Sequence, residues 1–495
     1  MKLICNLFFH TYTHNMNTNS NYEMKSSDEK KIAKRREYVL SSYASAKDAN
    51  ELAFLEGTDS KATEEYIYPN QIEDATQIVG EFYRGRRVVS ITKKTKVGAD
   101  GLMIELAKQM TTYPDDDFVV NPSNVHILTA MSNVSWETDM KAKTPECFRS
   151  NIHHHGKLKR SDLKDLKNSL LIIDEVDTGD KEGQVMHRTL KEAGILNVVN
   201  LETNNIRIVF ISATMAKELL QLYQWGDLHY LYKMTIPDSY IGHTDFLEKG
   251  IIQEFYPLNT IETATKWIQE DIIDNYGDDY RVNIVRATIK TVPIISLACS
   301  VHGIDARNHT STDKIEEDIL KEIFEGSLER HIVLIVKGFY RRANLIPNPW
   351  KLRIGATHEL YTKNVNNNVQ VQGFSGRLTG YWKVLIELGH KTGPYRTSVK
   401  AIEEYESIYN DPFGNHSYQS SGFKRENGVT TKNSKTYVSP SNVEGLEEDD
   451  NIAIQYDAKK NIPIIVHVNI EEINRIHKLN TSGKREQLKI LLKED

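Results

Sequence analysis

From about residue 60 onward, short apolar runs rich in β-branched residues alternate with amphipathic stretches. RVVSI (87–91), VHILTA (125–130), SLLIIDE (169–175) and RIVFISA (207–213) are too continuously apolar for a half-exposed sheet. They predict strands buried on both faces, with helices between them. After about residue 250 the rhythm restarts with YRVNIVRA (280–287), HIVLIVKG (331–338) and WKLRIGATHEL (350–360), and a helix is predicted near TDKIEEDILKEIFEG. Two blocks of comparable length predict an α/β protein with two similar parallel-sheet domains facing each other across a cleft.

The pattern divides the chain into a polar amino-terminal tail (1–55), a first domain (56–245), a second domain (250–404) and a carboxyl-terminal extension of unassigned role (405–495). The extension is polar, then acidic, and closes with one apolar strand, NIPIIVHVNI, and a basic helix. At 495 residues the chain is long enough for two or three domains with sizeable cores. The hydrophobic fraction of 39% and charged fraction of 26% are those of a soluble protein. A net charge of −6 shows no general basic field, though nucleic-acid enzymes often confine positive charge to one groove. The three cysteines, Cys5, Cys147 and Cys299, are too scattered for a CxxC zinc pair or a disulfide framework, which fits a reducing, intracellular setting. No apolar run reaches the length of a membrane span, and the start lacks a signal-peptide cleavage pattern.

Candidate chemistry concentrates where SLLIIDE ends. Ligands of open parallel sheets bind at the carboxyl ends of the strands. Asp174 there suits a magnesium ion on a nucleotide's phosphates, and Glu175 suits orienting or deprotonating an attacking water. The tetrapeptide Asp174-Glu175-Val176-Asp177 is also a protease cleavage sequence, but such sites need an extended, exposed segment, and a buried strand predicts the opposite. About 35 residues later, RIVFISATM ends another strand in Ser212-Ala213-Thr214. Hydroxyls at that neighbouring strand end can bond Asp177 and link nucleotide state to domain motion. In the second block, VQGFSGRLTGY holds Gln372, Gly376 and Arg377, and an arginine on the facing domain can reach a γ-phosphate as a finger.

In this order, the DExD string, the Ser-Ala-Thr string and the Gln…Gly-Arg string resemble the superfamily 2 helicases, the DExD/H-box ATPases. The resemblance covers roughly residues 60 to 400. It implies two tandem RecA-like parallel-sheet domains, ATP and Mg bound between them, and a nucleic-acid partner, DNA ahead of RNA. TKKTKVGADGLMIE, TAMSNVSW, HHGKL and KGFYRRANLI look more narrowly like a helicase-like group of large DNA viruses. That narrower likeness would add a virion or viral factory as a location.

The family's phosphate loop follows its first strand and ends in Gly-Lys-Thr or Gly-Lys-Ser. Here the corresponding stretch is Lys96-Val97-Gly98-Ala99-Asp100-Gly101. Gly98 falls on the last loop glycine, Ala99 on the lysine and Asp100 on the hydroxyl residue. Asp100 can ligate magnesium, but alanine cannot neutralise phosphate, so Lys93, Lys94 or Lys96 would have to supply that charge. This departure sustains a second reading, a catalytically weakened nucleic-acid-binding or scaffold protein. The resemblance assigns Gln71 to the adenine edge. A second finger arginine would fall at Gly380, so Arg377 would act alone or with Arg341 or Arg342. Strand-end candidates for the nucleic-acid path are Thr129, Ser132 and Trp136 in the first block, and His309, Thr310 and Ser311 in the second; Lys337 and Gly338 lie where the family couples nucleotide to nucleic acid. Trp136 fits helix packing as well as base stacking. His153, His154 and His155 are adjacent and cannot all face one metal, so no zinc site is expected there.

Overall fold

A computed structural model describes residues 67–412 apart from 114, 132, 159–162, 179–184, 216–221, 311–312, 338 and 341–345. It also describes Lys30, Lys34, Tyr418 and the strand residues 425–426, 429–430, 437–438, 452–457 and 462–467. Arg341, Arg342, Ser132, Ser311, Gly338, nearly all of the amino-terminal tail and much of the carboxyl-terminal extension lie outside the described residues.

The first sheet contains β1 (Val88–Thr92), β2 (Val125–Thr129), β3 (Ile152–His154), β4 (Ser169–Asp174), β5 (Ile206–Ser212) and β6 (His229–Lys233), in the order β3-β2-β4-β5-β1-β6. Every pairing in it is parallel. The second contains β7 (Ile252–Glu254), β8 (Val282–Arg286), β9 (Asp305–Thr310), β10 (Ile332–Lys337), β11 (Ile354–His358) and β12 (Tyr395–Thr397), in the order β7-β12-β11-β8-β10-β9, again all parallel. The fold is therefore the expected α/β pair of parallel sheets.

The apolar runs form strands because each buries both faces. Ile172 of β4 packs into one core with Ile91, Ile127, Val209 and Leu102, while Leu171 and Ile173 pack on the opposite side with Leu128, Ile208 and Leu190. Period-2 alternation thus sends successive residues into two different cores. Helix α1 (Pro69–Tyr83) and helix α2 (Ala99–Thr112) cover the first of these faces, with Ala75, Ile78, Leu102 and Leu106 fully buried. In the second sheet, Ile284 and Leu334 face one core and Val285 and Val333 the other.

One boundary differs from the sequence reading. WKLR opens as the helix Asn348–Arg353, and the strand starts only at Ile354. Asn308, His309 and Thr310 are the last three residues of β9, at its carboxyl end. In the extension, Ile462–His467 is a strand, pairing antiparallel with Ile452–Asp457.

Parallel register sets up the site. Asp174 lies opposite Thr129 on one neighbour and Ile211 on the other, and Thr92 lies opposite Ser212. The carboxyl ends of β1, β2, β4 and β5 therefore form one rim. Because Ile172 is fully buried at the middle of this sheet, Ile172→Ala should lower unfolding stability by about 2–5 kcal/mol. The exposed Val199→Ala should change it by less than about 0.5 kcal/mol. Urea denaturation followed by circular dichroism measures both, and equal effects would contradict this placement of the core.

Candidate active site

Helix α2 begins directly after a loop that follows β1, with Gly98 in left-handed conformation (φ 88°) as its amino-terminal cap. A Cβ on Gly98 would lie 2.3 Å from Gln71 Nε2, and one on Gly101 would lie 2.1 Å from Gln71 Oε1. Gln71 is thus wedged between the two glycines. Its Nε2 donates to the Gly98 carbonyl (2.6 Å) and its Oε1 accepts from the Tyr68 amide (2.9 Å). Reading an adenine edge would require that amide to release the loop. In this structure it braces the loop instead.

The three loop lysines point to three different environments. Lys93 Nζ lies 3.9 Å from Asp174 Oδ1 and 3.9 Å from Glu175 Oε1, with all three side chains buried. Lys94 is paired with Glu406 and stacks its ammonium 3.9 Å from the Tyr409 ring centroid. Both partners lie on the helix Val399–Asn410, whose Glu406 also accepts from Thr244 (2.8 Å). Lys96 sits in left-handed backbone (φ 54°), half-buried, and its ammonium is held well below the usual lysine range by loss of solvation and by the nearby Arg377 and Lys351. Of the three, Lys93 reaches the carboxylates from the first loop position.

Asp174 is a strongly perturbed acid of the rim. Burial pushes its carboxyl up to about 7. Lys93 pulls against that shift, and Glu175 and Asp100 reinforce it. Its Oδ2 accepts from Trp136 Nε1 (3.2 Å), while its Oδ1 is buried with no hydrogen-bond partner among the described residues. Trp136, on helix α3 (Val134–Lys143), is therefore buried against Asp174, which favours the packing reading over base stacking. Glu175 takes the left-handed region (φ 53°), an uncommon backbone for a residue with a side chain and one that concentrates at functional sites. Asp100 faces Lys143 at 2.9 Å, and Lys143 also bonds Asp139 at 2.6 Å. Burial opposes ionisation of Asp100, but Lys143, Lys96 and Lys93 together outweigh it and lower its pKa. The metal role expected of Asp100 would mean exchanging Lys143 for the ion.

Asp177 accepts from Ser212 Oγ (2.6 Å) and Thr214 Oγ1 (2.9 Å). It also accepts across the cleft from Asn368 Nδ2 (2.9 Å), on the helix Asn367–Val371. The second domain fastens the loop after β1 in further ways. Thr379 Oγ1 donates to the Thr95 carbonyl (2.8 Å), Tyr381 OH to the Val97 carbonyl (2.6 Å), and the Tyr381 ring stacks on Tyr68 at 4.6 Å. Tyr240 OH, between the two sheets in sequence, also bonds the Thr95 carbonyl (2.5 Å).

Arg377 lies on the helix Phe374–Leu378, is buried, and donates to Gln372 Oε1. A buried ion pair that sequence reasoning did not single out positions this helix. Arg286 Nε bonds Glu359 Oε2 at 2.6 Å, and Glu359 Oε1 accepts the amide of Phe374 at 2.8 Å. Gly376 is required there, since a Cβ would meet the Val371 carbonyl at 1.9 Å.

Among the expected nucleic-acid contacts, Thr129 and His309 are buried, which removes them from an accessible path. Thr129 Oγ1 instead donates to the Asp174 carbonyl (3.3 Å), and His309 Nδ1 accepts the Ile315 amide (3.1 Å). His154 is buried near Glu137 Oε2 (3.9 Å) and His155 Nδ1 lies 2.5 Å from the Ala130 carbonyl oxygen. No cluster of three metal-ligating side chains occurs among the described residues. No helix among them is long and apolar enough to cross a membrane.

No family model matches the chain, and no curated protein does. Among solved structures, the chain is similar to Mss116p bound to ssRNA and AMP-PNP at 15% identity and TM-score 0.42, covering 70% of this chain and 72% of that one. Dbp5 of S. cerevisiae bound to RNA and ADP BeF3 is 11% identical at TM-score 0.38, covering 72% and 94%. A DEAD box protein from Methanococcus jannaschii is 12% identical at TM-score 0.35, covering 69% and 90%. The architecture described above rests on its own strand order rather than on these scores, and the narrower viral resemblance gains no support from them.

The Asp174 environment predicts a pH signature. Its carboxyl is raised in the folded chain, so ionisation is harder there than in the unfolded chain, where the value is near 4. Stability is therefore lost as pH rises from about 4 through about 7. Asp174→Asn should raise the thermal midpoint of the nucleotide-free chain at pH 8, with the gain shrinking toward zero as pH approaches 4. A gain that grows on acidification would refute this assignment.

Proposed function

We propose that this chain is a helicase-like nucleoside triphosphatase that takes Mg-ATP between its two parallel-sheet domains and couples its turnover to a nucleic-acid strand. The observation that carries the reading is Lys93. It delivers a buried ammonium to the Asp174–Glu175 pair from the opening of the loop, so the missing lysine at Ala99 does not leave the phosphate side without charge. The donors fit a hard cation as well. Asp174 offers a buried carboxylate oxygen with no hydrogen-bond partner among the described residues, the surroundings in which bound Mg²⁺ would restore the charged form. A magnesium ion held at Asp174 would neutralise phosphate oxygens and orient them for in-line attack.

The chain's own groups would do the remainder. Trp136 fixes the Asp174 carboxylate. Glu175 orients the attacking water and receives its proton. Lys93 and Lys96 from one domain and Arg377 from the other stabilise charge developing on the terminal phosphate. Asp177 bonds Ser212, Thr214 and Asn368, so a shift at the rim pulls on the second domain. The nucleic-acid partner rests on the motif resemblance, which does not separate DNA from RNA.

The weakened-scaffold reading draws on a different observation: the loop carbonyls of Thr95 and Val97 are occupied by hydroxyls of the facing domain. Steady-state ATP hydrolysis, with and without single-stranded DNA and RNA, separates the two. Wild-type turnover should exceed that of Glu175→Gln by about 100-fold or more. Lys93→Ala should weaken Mg-ATP binding about tenfold or more. Turnover no higher than in Glu175→Gln, in every nucleic acid tried, would end the motor reading in favour of the scaffold.

A further inference from the structure

The finger string of the second domain has glycine, Gly380, where a second arginine would be expected, yet a buried cation reaches this spot from elsewhere. Lys351, on the helix Asn348–Arg353, donates its Nζ to the backbone carbonyl of Thr379 at 2.8 Å, one residue before Gly380. Thr379 in turn is bonded to Thr95, both hydroxyl to hydroxyl (2.9 Å) and hydroxyl to carbonyl (2.8 Å). Thr95 precedes Lys96, and Thr379 follows Arg377 by two residues. A Cβ on Gly376 would lie only 3.3 Å from Thr95 Cγ2, so the two backbones are in close approach here. Lys96, Lys351 and Arg377 are thereby gathered around one crossing point of the two domains.

Such a gathering is costly in isolation. Lys351 and Arg377 are buried and Lys96 is half-buried, and each raises the cost of charging the others. Asp100, the carboxylate that acts on Lys96, is itself held by Lys143. What the cluster fits is a compact polyanion. On the proposed nucleotide reading, we infer that Lys351 is a second cation of the second domain for the terminal phosphate of the triphosphate, doing from a separate helix what a second arginine would do at Gly380.

The titration of Lys351 supplies the means to test this. Burial, with Arg377 beside it, brings its ammonium down to about 7. The charged groups acting around it are Arg377 on its own domain and Lys96 from the facing loop, with Asp100 behind Lys96. Lys351 is therefore charged below about pH 7 and increasingly neutral above it, unless an anion is bound. A terminal phosphate would hold it protonated, so binding of a triphosphate should take up a proton at pH 8.

The experiment is equilibrium binding of Mg-ATP and Mg-ADP to the full chain at pH 6.5 and pH 8.5. It compares wild type, Lys351→Arg and Lys351→Met. The wild-type preference for ATP over ADP should fall several-fold between the two pH values. Lys351→Arg keeps its charge throughout and should hold the preference nearly constant. Titration of the nucleotide's own phosphates is common to all variants and cancels in that comparison. Lys351→Met should show at both pH values the low preference that wild type shows at pH 8.5. If wild type binds ATP, but Lys351→Arg follows the same pH slope and Lys351→Met keeps the full preference, the inference about Lys351 is overturned while the cleft reading stands. If wild type binds neither nucleotide, the cleft reading fails and this inference with it. Should Lys351→Met fail to fold, the wild-type and Lys351→Arg slopes decide alone.

Discussion

Charge buried between two sheets is the constraint around which this molecule is arranged. Lys93, Lys96, Lys143, Lys351 and Arg377 share a narrow region with Asp100, Asp174 and Glu175, and much of it is shielded from water. Buried ions are tolerated only where geometry satisfies them, and here the geometry is uneven. Lys143 and Asp100 are mutually satisfied at 2.9 Å, whereas Lys93 stands 3.9 Å from each of its carboxylates, beyond hydrogen-bond range. An arrangement that leaves carboxylates and ammoniums this close but not in contact suits groups that exchange partners when a charged ligand arrives.

Around that cluster polar contacts join the two domains. Thr379 and Tyr381 bond loop carbonyls, Asn368 bonds Asp177, and Lys94 reaches Glu406 on the helix Val399–Asn410. A net hydrogen bond contributes only about 0.5–1.5 kcal/mol, so such a seam can be rearranged piecewise. The two sheets themselves each carry an apolar core on either face. Packed sheets linked by replaceable polar contacts are what the proposed nucleotide-driven cycle would require.

The parts legible in the sequence were those with a local signal. Leu170–Ile173 announced a doubly buried strand, and the acids after it had to lie at the carboxyl edge of the sheet. Ser212 and Thr214 were readable as partners of Asp177 because a neighbouring parallel strand ends at the same level. The strands that escaped notice were β3, β6, β7, β9 and β12. Four of these are sheet edges, and β12 neighbours one. Edge strands bury less, so DARNHT and HYLYK carry no continuous apolar run, and three-residue strands carry too few residues for any period.

The sequence by itself determined the class of fold and the rim on which the acids stand, because apolar periodicity and strand-end position are properties of contiguous residues. It left open which lysine faces those acids: Lys96, nearest the loop glycine, was the favoured candidate for the phosphate, with Lys93 and Lys94 just before it. Only the tertiary structure separated them, by bringing Glu406, Tyr409, Arg377 and Lys351 to the loop from about 250 to 310 residues away in the chain. The partner of a charged side chain is chosen by whatever the folded chain places beside it, and no local pattern encodes that choice.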